Sequence, residues 1–319
     1  MKTSIINFFK EQVGLLLALL CLIIFFSLKS QYFFTYSTFI TIANQIPHIL
    51  ILAVGMSVVL IAGGIDLSVG SVLGLSGAIL GILLTKNYSL PIAIIACFIT
   101  GIVCGAINGV VITHWHIPAF IVTLGMLEAG RGMTYLFTNS ITQYLSSDLE
   151  IISEPNLWGM RLPLLLAIIV VIIVHFLLIH TPWGRHCFAV GSQEETAHLS
   201  GINVKKVLVS VYILSGFLAA VAGLLHCARL SSSDPNAGIG YELSAIAAAV
   251  IGGNSLNGGK GSVIGTIFGV IIIATLEVGL VQIGVPEPWK RVITGIVIIL
   301  AVIIDTYRGK IKFFSKTSS

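Results

Sequence analysis

The chain is written as long apolar runs separated by short polar turns. The runs fall at about 13–28, 44–62, 68–85, 90–113, 118–138, 162–180, 207–228, 242–252, 262–282 and 292–305. Most approach the roughly 20 residues that an α-helix needs to cross the hydrocarbon core of a bilayer. The pattern predicts an all-α, polytopic membrane protein of about ten transmembrane helices, forming a single membrane domain over residues 1–319. Two runs depart from it: 242–252 is short, and the run after Asp66 is crowded with glycine. A broken or re-entrant element is expected there. The first run follows Lys2 and Lys10 but is followed by Lys29-Ser-Gln-Tyr-Phe rather than a small-residue cleavage site, so it reads as a retained span.

Composition agrees with the pattern and removes other classes. Apolar residues make up 56% of the chain and charged residues 9%, against roughly 25% charged in an average soluble domain. The mean hydropathy is +1.03. Soluble, disordered and nucleic-acid-binding proteins are excluded, and the net charge of +4 comes from basic residues scattered in loops. The five cysteines lie mostly inside apolar runs without metal or redox spacing.

Sidedness follows from the loop cations. With both termini cytoplasmic, ten of them (Lys2, Lys10, Arg185, Lys205, Lys206, Lys260, Arg308, Lys310, Lys312, Lys316) face inward and five (Lys29, Lys86, Arg161, Lys290, Arg291) face outward. The loop with Asp148, Glu150 and Glu154 then lies outside. Residues 181–206 form a cytoplasmic stretch too polar to span. Within it Ser192 has the spacing of an N-cap with Glu195 three residues on, and Gly201 supplies a stop. Spacing alone gives a capped connector.

An ionisable group at the centre of a span costs on the order of 2.5 to 3.5 kcal/mol, so each asks for a partner or a wet cavity. In Gly63-Gly64-Ile65-Asp66-Leu67-Ser68-Val69-Gly70-Ser71 two glycines end one helix and Asp66 can cap the next. Asn108 sits deep in the fourth run and needs a neighbouring helix or a polar path. Glu128 and Arg131, three apart on one helical face, can neutralise each other. The stretch Gly252 to Ser262, with Asn254 in its turn and Glu277 further on, repeats the first in outline. Both read apolar helix, Gly-Gly, polar turn, Gly-Ser, with two extra residues in the second turn, which suggests an internal duplication. The second turn is no P-loop: Asn254 stands where the first glycine belongs and Gly261 follows Lys260. Gly74-Leu75-Ser76-Gly77 with His175 or His226 carries a faint rhomboid-protease reading, and His114-Trp115-His116 lacks a third metal ligand.

Four blocks carry a specific resemblance: Gly63 to Ser71, Gly105 to Leu127 with Arg131-Gly132, Gly184 to Ile202, and Tyr241 to Gly269. In this order they resemble the permease subunits of bacterial ATP-binding-cassette importers for monosaccharides, the ribose, xylose, arabinose and autoinducer-2 type, from about Asn44 to Asp305. The resemblance implies a multi-pass subunit of the bacterial inner membrane, not itself an enzyme, that moves a sugar by alternating access. It implies a second permease subunit, two cytoplasmic ATPase subunits that hold ATP and Mg (this chain holding no cofactor), and an extracytoplasmic sugar-binding protein. It turns Gly191, Glu194, Glu195, Ala197 and Gly201 from connector into a coupling element that docks on the ATPase. Asp66, Ser68, Asn108, Glu128, Arg131, Asn254 and Glu277 become candidates for the route. Glu277-Val278-Gly279-Leu280 departs from the paired asparagines of ribose-type permeases, and Glu277 either binds Arg229 or another residue structurally or tunes the route for a different solute. A stand-alone secondary transporter driven by a proton or sodium gradient is the alternative.

Overall fold

A computed structural model describes residues 2–145, 149, 152, 155–157 and 160–314. Asp148, Glu150, Glu154 and Lys316 lie outside the described residues. The helices are α1 (Lys2–Lys29), α2 (Tyr36–Ile61), α3 (Val69–Thr85), α4 (Leu90–Trp115), α5 (Ala119–Thr138), α6 (Leu162–His180), α7 (Pro182–Ser192), α8 (Glu194–Leu199), α9 (Val204–Leu230), α10 (Tyr241–Ile251), α11 (Val263–Gln282) and α12 (Glu287–Phe314). Each expected run falls in a helix, and α2, α4, α6, α9 and α11 are long and apolar enough to cross a membrane. The protein is an all-α polytopic membrane protein. The only other regular structure among the described residues is two small antiparallel ladders, β1 (Gln143–Tyr144) on β4 (Ser232–Ser233) and β2 (Pro155–Leu157) on β3 (Met160–Arg161).

Helix α9 is the central post, and close backbone approach sets its neighbours. A Cβ added to Gly101, Gly105 or Gly109 of α4 would fall 2.2 Å from Gly216 O, 2.2 Å from Tyr212 O and 2.8 Å from Val209 Cα of α9. This pairing of descending and ascending numbers makes α4 antiparallel to α9. Lipid offers helices no hydrophobic reason to associate, so such small-residue seams supply the contact. Helix α2 also runs antiparallel to α9, with Gly55 beside Leu218 and Ser215, and α3 runs parallel to it, with Leu73 and Gly77 against Gly223 and Cys227. Helix α2 is buried without interruption from Ile46 to Ile61, as expected of a helix that is apolar all round.

The outward faces of α4 and α6 are aliphatic and aromatic over most of their length. Ile92, Ile95, Ile99, Val103, Ile107 and Val110 on the first, and Leu165, Ile169, Ile172, Phe176 and Ile179 on the second, are exposed at helical spacing. Those faces meet lipid.

The discontinuity lies elsewhere than the glycine-rich run after Asp66 suggests. Residues 62–68 are a reversal between antiparallel α2 and α3, and α3 itself is continuous. The chain instead loses its helix at 231–240. Ser233 lies against Gly81, Ala237 against Gly74 and Gly238 against Gly70, so at 1.5 Å per residue of α3 the strand of chain descends about 16 Å into the protein. Helix α10 begins only there, which is why its apolar run is short.

Gly105→Leu is expected to lower the thermal midpoint of the detergent-solubilised chain, because overpacking a closed seam costs about 1–3 kcal/mol or more. Gly125→Ala, where an added Cβ meets nothing within 4 Å, is expected to leave it unchanged. Melting of both variants followed by size exclusion checks the contrast.

Candidate translocation and coupling sites

Helix α2 ends with Gly63 in the left-handed region at φ +86°, and the N–H groups of Gly63 and Gly64 return to Leu60 O and Val59 O at 2.9 and 3.0 Å. This is a C-terminal cap that only glycine takes without strain. Asp66 then organises the start of α3. Its Oδ1 accepts from the Ser68 N–H at 3.0 Å and the Ser68 hydroxyl at 2.6 Å, and its Oδ2 accepts from Ser215 of α9 at 2.7 Å. Ser68 Oγ in turn accepts from Asn108 Nδ2 of α4 at 2.9 Å. Thr123 of α5 donates to Ile65 O at 3.1 Å. The structure therefore brings Asp66, Ser68 and Asn108 into one buried network that knots α3, α4 and α9 together. Ser68 occupies the N-cap position, and Asp66 serves it from two residues upstream.

The second turn is built similarly but one residue out of step. Gly253, not Gly252, takes the left-handed conformation at φ +90°, with Gly253 N and Asn254 N returning to Val250 O and Ala249 O at 2.9 and 3.1 Å. Ser262 caps α11 through its hydroxyl, accepting from Gly265 N at 3.2 Å. Measured from left-handed glycine to helix cap, Gly63 to Ser68 against Gly253 to Ser262, the second linker is four residues longer rather than two. Asn254 fastens it. Its Nδ2 donates to Ala249 O at 2.6 Å and Thr266 Oγ1 at 2.8 Å, and its Oδ1 accepts from Ser262 N at 2.9 Å. Ser57 of α2 joins at 2.6 Å from Thr266 Oγ1.

Arg131 does not pair with Glu128. Among the described residues the only ion pair is Lys290 with Glu287. Arg131 instead passes over Gly74 and donates from Nη1 to Ala237 O at 2.7 Å and Pro235 O at 3.2 Å. It serves carbonyls of the unwound segment, which have no helical partners. Tyr135 donates to Asn236 Oδ1 at 2.9 Å beside it.

Glu128, halfway along α5, is left exposed on a face that also carries Leu124, Gly125, Ala129, Gly132 and Leu136. No hydrogen bond or ion pair holds it among the described residues. A carboxylate facing hydrocarbon is costly, and Glu128 sets this face apart from the exposed apolar stretches of α4 and α6. Glu277 makes no ion pair with Arg229. It lies on α11, with Lys290 and Glu287 of α12 among its charged neighbours.

Sequence reasoning passed over one cluster. His48, His226 and Tyr241 meet with ring centroids 5.2 to 5.8 Å apart, and His226 Nε2 lies 3.3 Å from the Tyr241 hydroxyl. Asn44, Gln45 and His48 inside the second apolar run were the available signal. Ser76 is fully buried and its hydroxyl has no hydrogen-bond partner, so neither histidine serves it as base and the protease geometry is absent. His116 takes a left-handed C-cap of α4 at φ +53°.

The 181–206 stretch holds two helices. Thr181 caps α7, accepting from Gly184 N at 3.3 Å. Ser192 is the last residue of α7, and Gln193 takes the N-cap position of α8 without a side-chain bond, so the Ser192–Glu195 capping box does not form. Gly201, at φ +83°, ends α8 as expected. Of the coupling candidates Ala197 is buried, while Glu194, Glu195 and Gly201 are exposed beside Leu199. Gly191 is enclosed at the end of α7, against Ile61, Ala62 and Gly259.

The family model described as branched-chain amino acid transport system / permease component matches residues 38–302. The chain belongs to this family of transport permeases. Among the members it resembles, the ribose import permease protein RbsC of Escherichia coli is 40% identical over 91% of this chain and 92% of its own length. The fructose import permease protein FrcC of Rhizobium meliloti is 34% identical over 94% and 86%. The autoinducer 2 import system permease protein LsrC of Salmonella typhi is 33% identical over 91% and 84%. No solved structure gives a significant match.

Asp66→Ala would strand the Ser68 N–H and the Ser215 hydroxyl, at about 1–3 kcal/mol for each buried group left unpaired. A marked fall in thermal midpoint is expected, with Asp66→Asn milder because its amide still accepts from Ser68 while Ser215 can turn to accept. Thermal unfolding of the two purified variants checks the order.

Proposed function

We propose that this chain is the membrane-spanning subunit of an ATP-driven importer that carries a monosaccharide of the ribose class across the bacterial inner membrane, with both termini on the cytoplasmic side. The reading is carried by the 40% identity to a ribose import permease over 91% of the chain. It is a transport subunit rather than an enzyme. ATP and Mg belong to two separate cytoplasmic ATPase subunits, and an extracytoplasmic binding protein delivers the sugar. Sugar must bind the outward and inward states unequally for the nucleotide cycle to move it.

Roles for individual residues follow from where they lie. Helix α8 offers the ATPase an exposed Glu194, Glu195 and Leu199, with Leu199 80% exposed, and Gly201 ends it without a side chain in the way. The route runs along the α5 face that carries Glu128, beside the unwound segment with Tyr135 and Asn236, and a second permease chain closes that face from the other side. An exposed carboxylate in mid-span supports this placement. Asp66, Ser68, Asn108 and Asn254 hold backbone turns that shape the route, Arg131 holds the unwound segment open, and Glu277 sits apart from it.

Reconstituted with its ATPase and binding protein, the chain is expected to accumulate ribose in proteoliposomes only when ATP is supplied. Uptake driven by a proton or sodium gradient alone would replace this reading with a secondary transporter. Leu199→Arg, at the exposed end of α8, is expected to abolish copurification with the ATPase from a well-folded chain. Glu128→Leu, at a residue with no hydrogen bond or ion pair among the described residues, is expected to keep assembly intact while cutting ATP-driven uptake several-fold; unchanged uptake would move the route elsewhere.

A further inference from the structure

The end of α7, immediately before α8, is in backbone contact with both turns described above. A Cβ added to Gly191 would lie 1.9 Å from Ile61 O and 2.9 Å from Ala62 C and from Gly259 N. One added to Gly258 would lie 2.4 Å from Gly191 O and 2.8 Å from Gly63 Cα. One on Gly259 would lie 2.4 Å from Ser192 Oγ. Across the same point Gly259 N donates to Ile61 O at 2.9 Å. Three stretches of main chain meet here: the end of α2 with its reversal, the α10–α11 linker, and the approach to α8.

We infer that Gly191, Gly63 and Gly258 form a rigid joint through which a displacement of α8 carries the α2–α3 reversal and the α10–α11 linker together. The inference rests on α8 being the coupling element proposed above. Close-packed protein is nearly incompressible and passes displacement on rather than absorbing it, and main chain against main chain has no rotamer with which to yield. What moves with the joint is defined by the networks already described. The reversal holds α3, α4 and α9 through Asp66, Ser68, Asn108 and Ser215, and the linker holds α11 through Asn254. Helix α8 also borders a cleft of about 990 Å³ that it shares with the reversal, lined by Gly63, Gly64, Glu194, Glu195, His198 and Tyr212 among others.

Distances between spin labels test the joint in the assembled transporter, with and without ATP, using an ATPase partner that binds but does not hydrolyse it. Labels go at Thr196→Cys on α8, Lys260→Cys on the linker and Ile172→Cys on the lipid face of α6, all exposed positions, in a background without Cys21. The joint requires that the Thr196–Lys260 distance stay the same in both states while each changes relative to Ile172. If Thr196 moves relative to Ile172 and Lys260 does not follow, the joint is wrong and the coupling assignment survives. If neither moves on ATP binding, the coupling assignment falls and takes the joint with it.

Discussion

Every backbone N–H and C=O set down within hydrocarbon must find a partner inside the protein, because an unsatisfied one costs several kcal/mol and no water is there to take its place. Unbroken helices meet that demand by themselves. Among the places where this chain leaves helical structure, 62–68, 231–240 and 252–262 each have a polar side chain that takes up freed backbone groups. Asp66 accepts the Ser68 N–H at the first, Arg131 donates to Pro235 and Ala237 carbonyls at the second, and Asn254 takes both a carbonyl and an N–H at the third. The ionisable and amide groups that look out of place in apolar runs are largely the consequence of where the helices stop.

That accounting separates two kinds of polar residue. Asp66, Ser68, Asn108 and Asn254 are each no more than 1% exposed and hydrogen-bonded to named partners, so their side chains are committed to the architecture. Glu128 has the opposite profile, exposed in mid-helix with no hydrogen bond or ion pair among the described residues. Lipid disposes of the question on α4 and α6, whose outer faces carry mostly large apolar side chains. The α5 face and the unwound segment beside it are the part of the surface that a bilayer would not accept unaided.

The helices were legible in the sequence because span length and hydrophobicity are local properties, and each apolar run lies in a helix. Gly201 was legible for the same reason: a helix stop needs only its own conformation. Arg131 was misread because its partners lie more than a hundred residues away at Pro235 and Ala237, while Glu128, one turn off, is the nearest opposite charge in sequence. The unwound segment Ser231-Ser-Ser-Asp-Pro-Asn-Ala-Gly-Ile-Gly240 looks like an ordinary external loop, since nothing local says that Gly70, Gly74 and Gly81 clear a channel for it along α3. Ser192 has a capping-box spacing, but Thr181 and Pro182 start the helix earlier and the Ser192 side chain is taken up against Gly259.

The repeat shows how far a sequence pattern can be pressed. Pairing Gly63-Gly64 with Gly252-Gly253 is natural in sequence, yet the left-handed residue is the first glycine of one pair and the second of the other. The helix end, not the dipeptide, sets the register: each left-handed glycine returns its N–H three residues back and its successor five. The extra length of the second linker then has a geometric reason. The first turn only has to reverse α2 into α3. The second must also reach across to Ile61 and Gly191, and it does so with two successive left-handed glycines, Gly258 and Gly259 at φ +79° and +69°, which direct the Gly259 N–H onto the last carbonyl of α2. Two turns of similar construction therefore differ most where they touch each other, and that point of contact is also where the segment leading to α8 arrives.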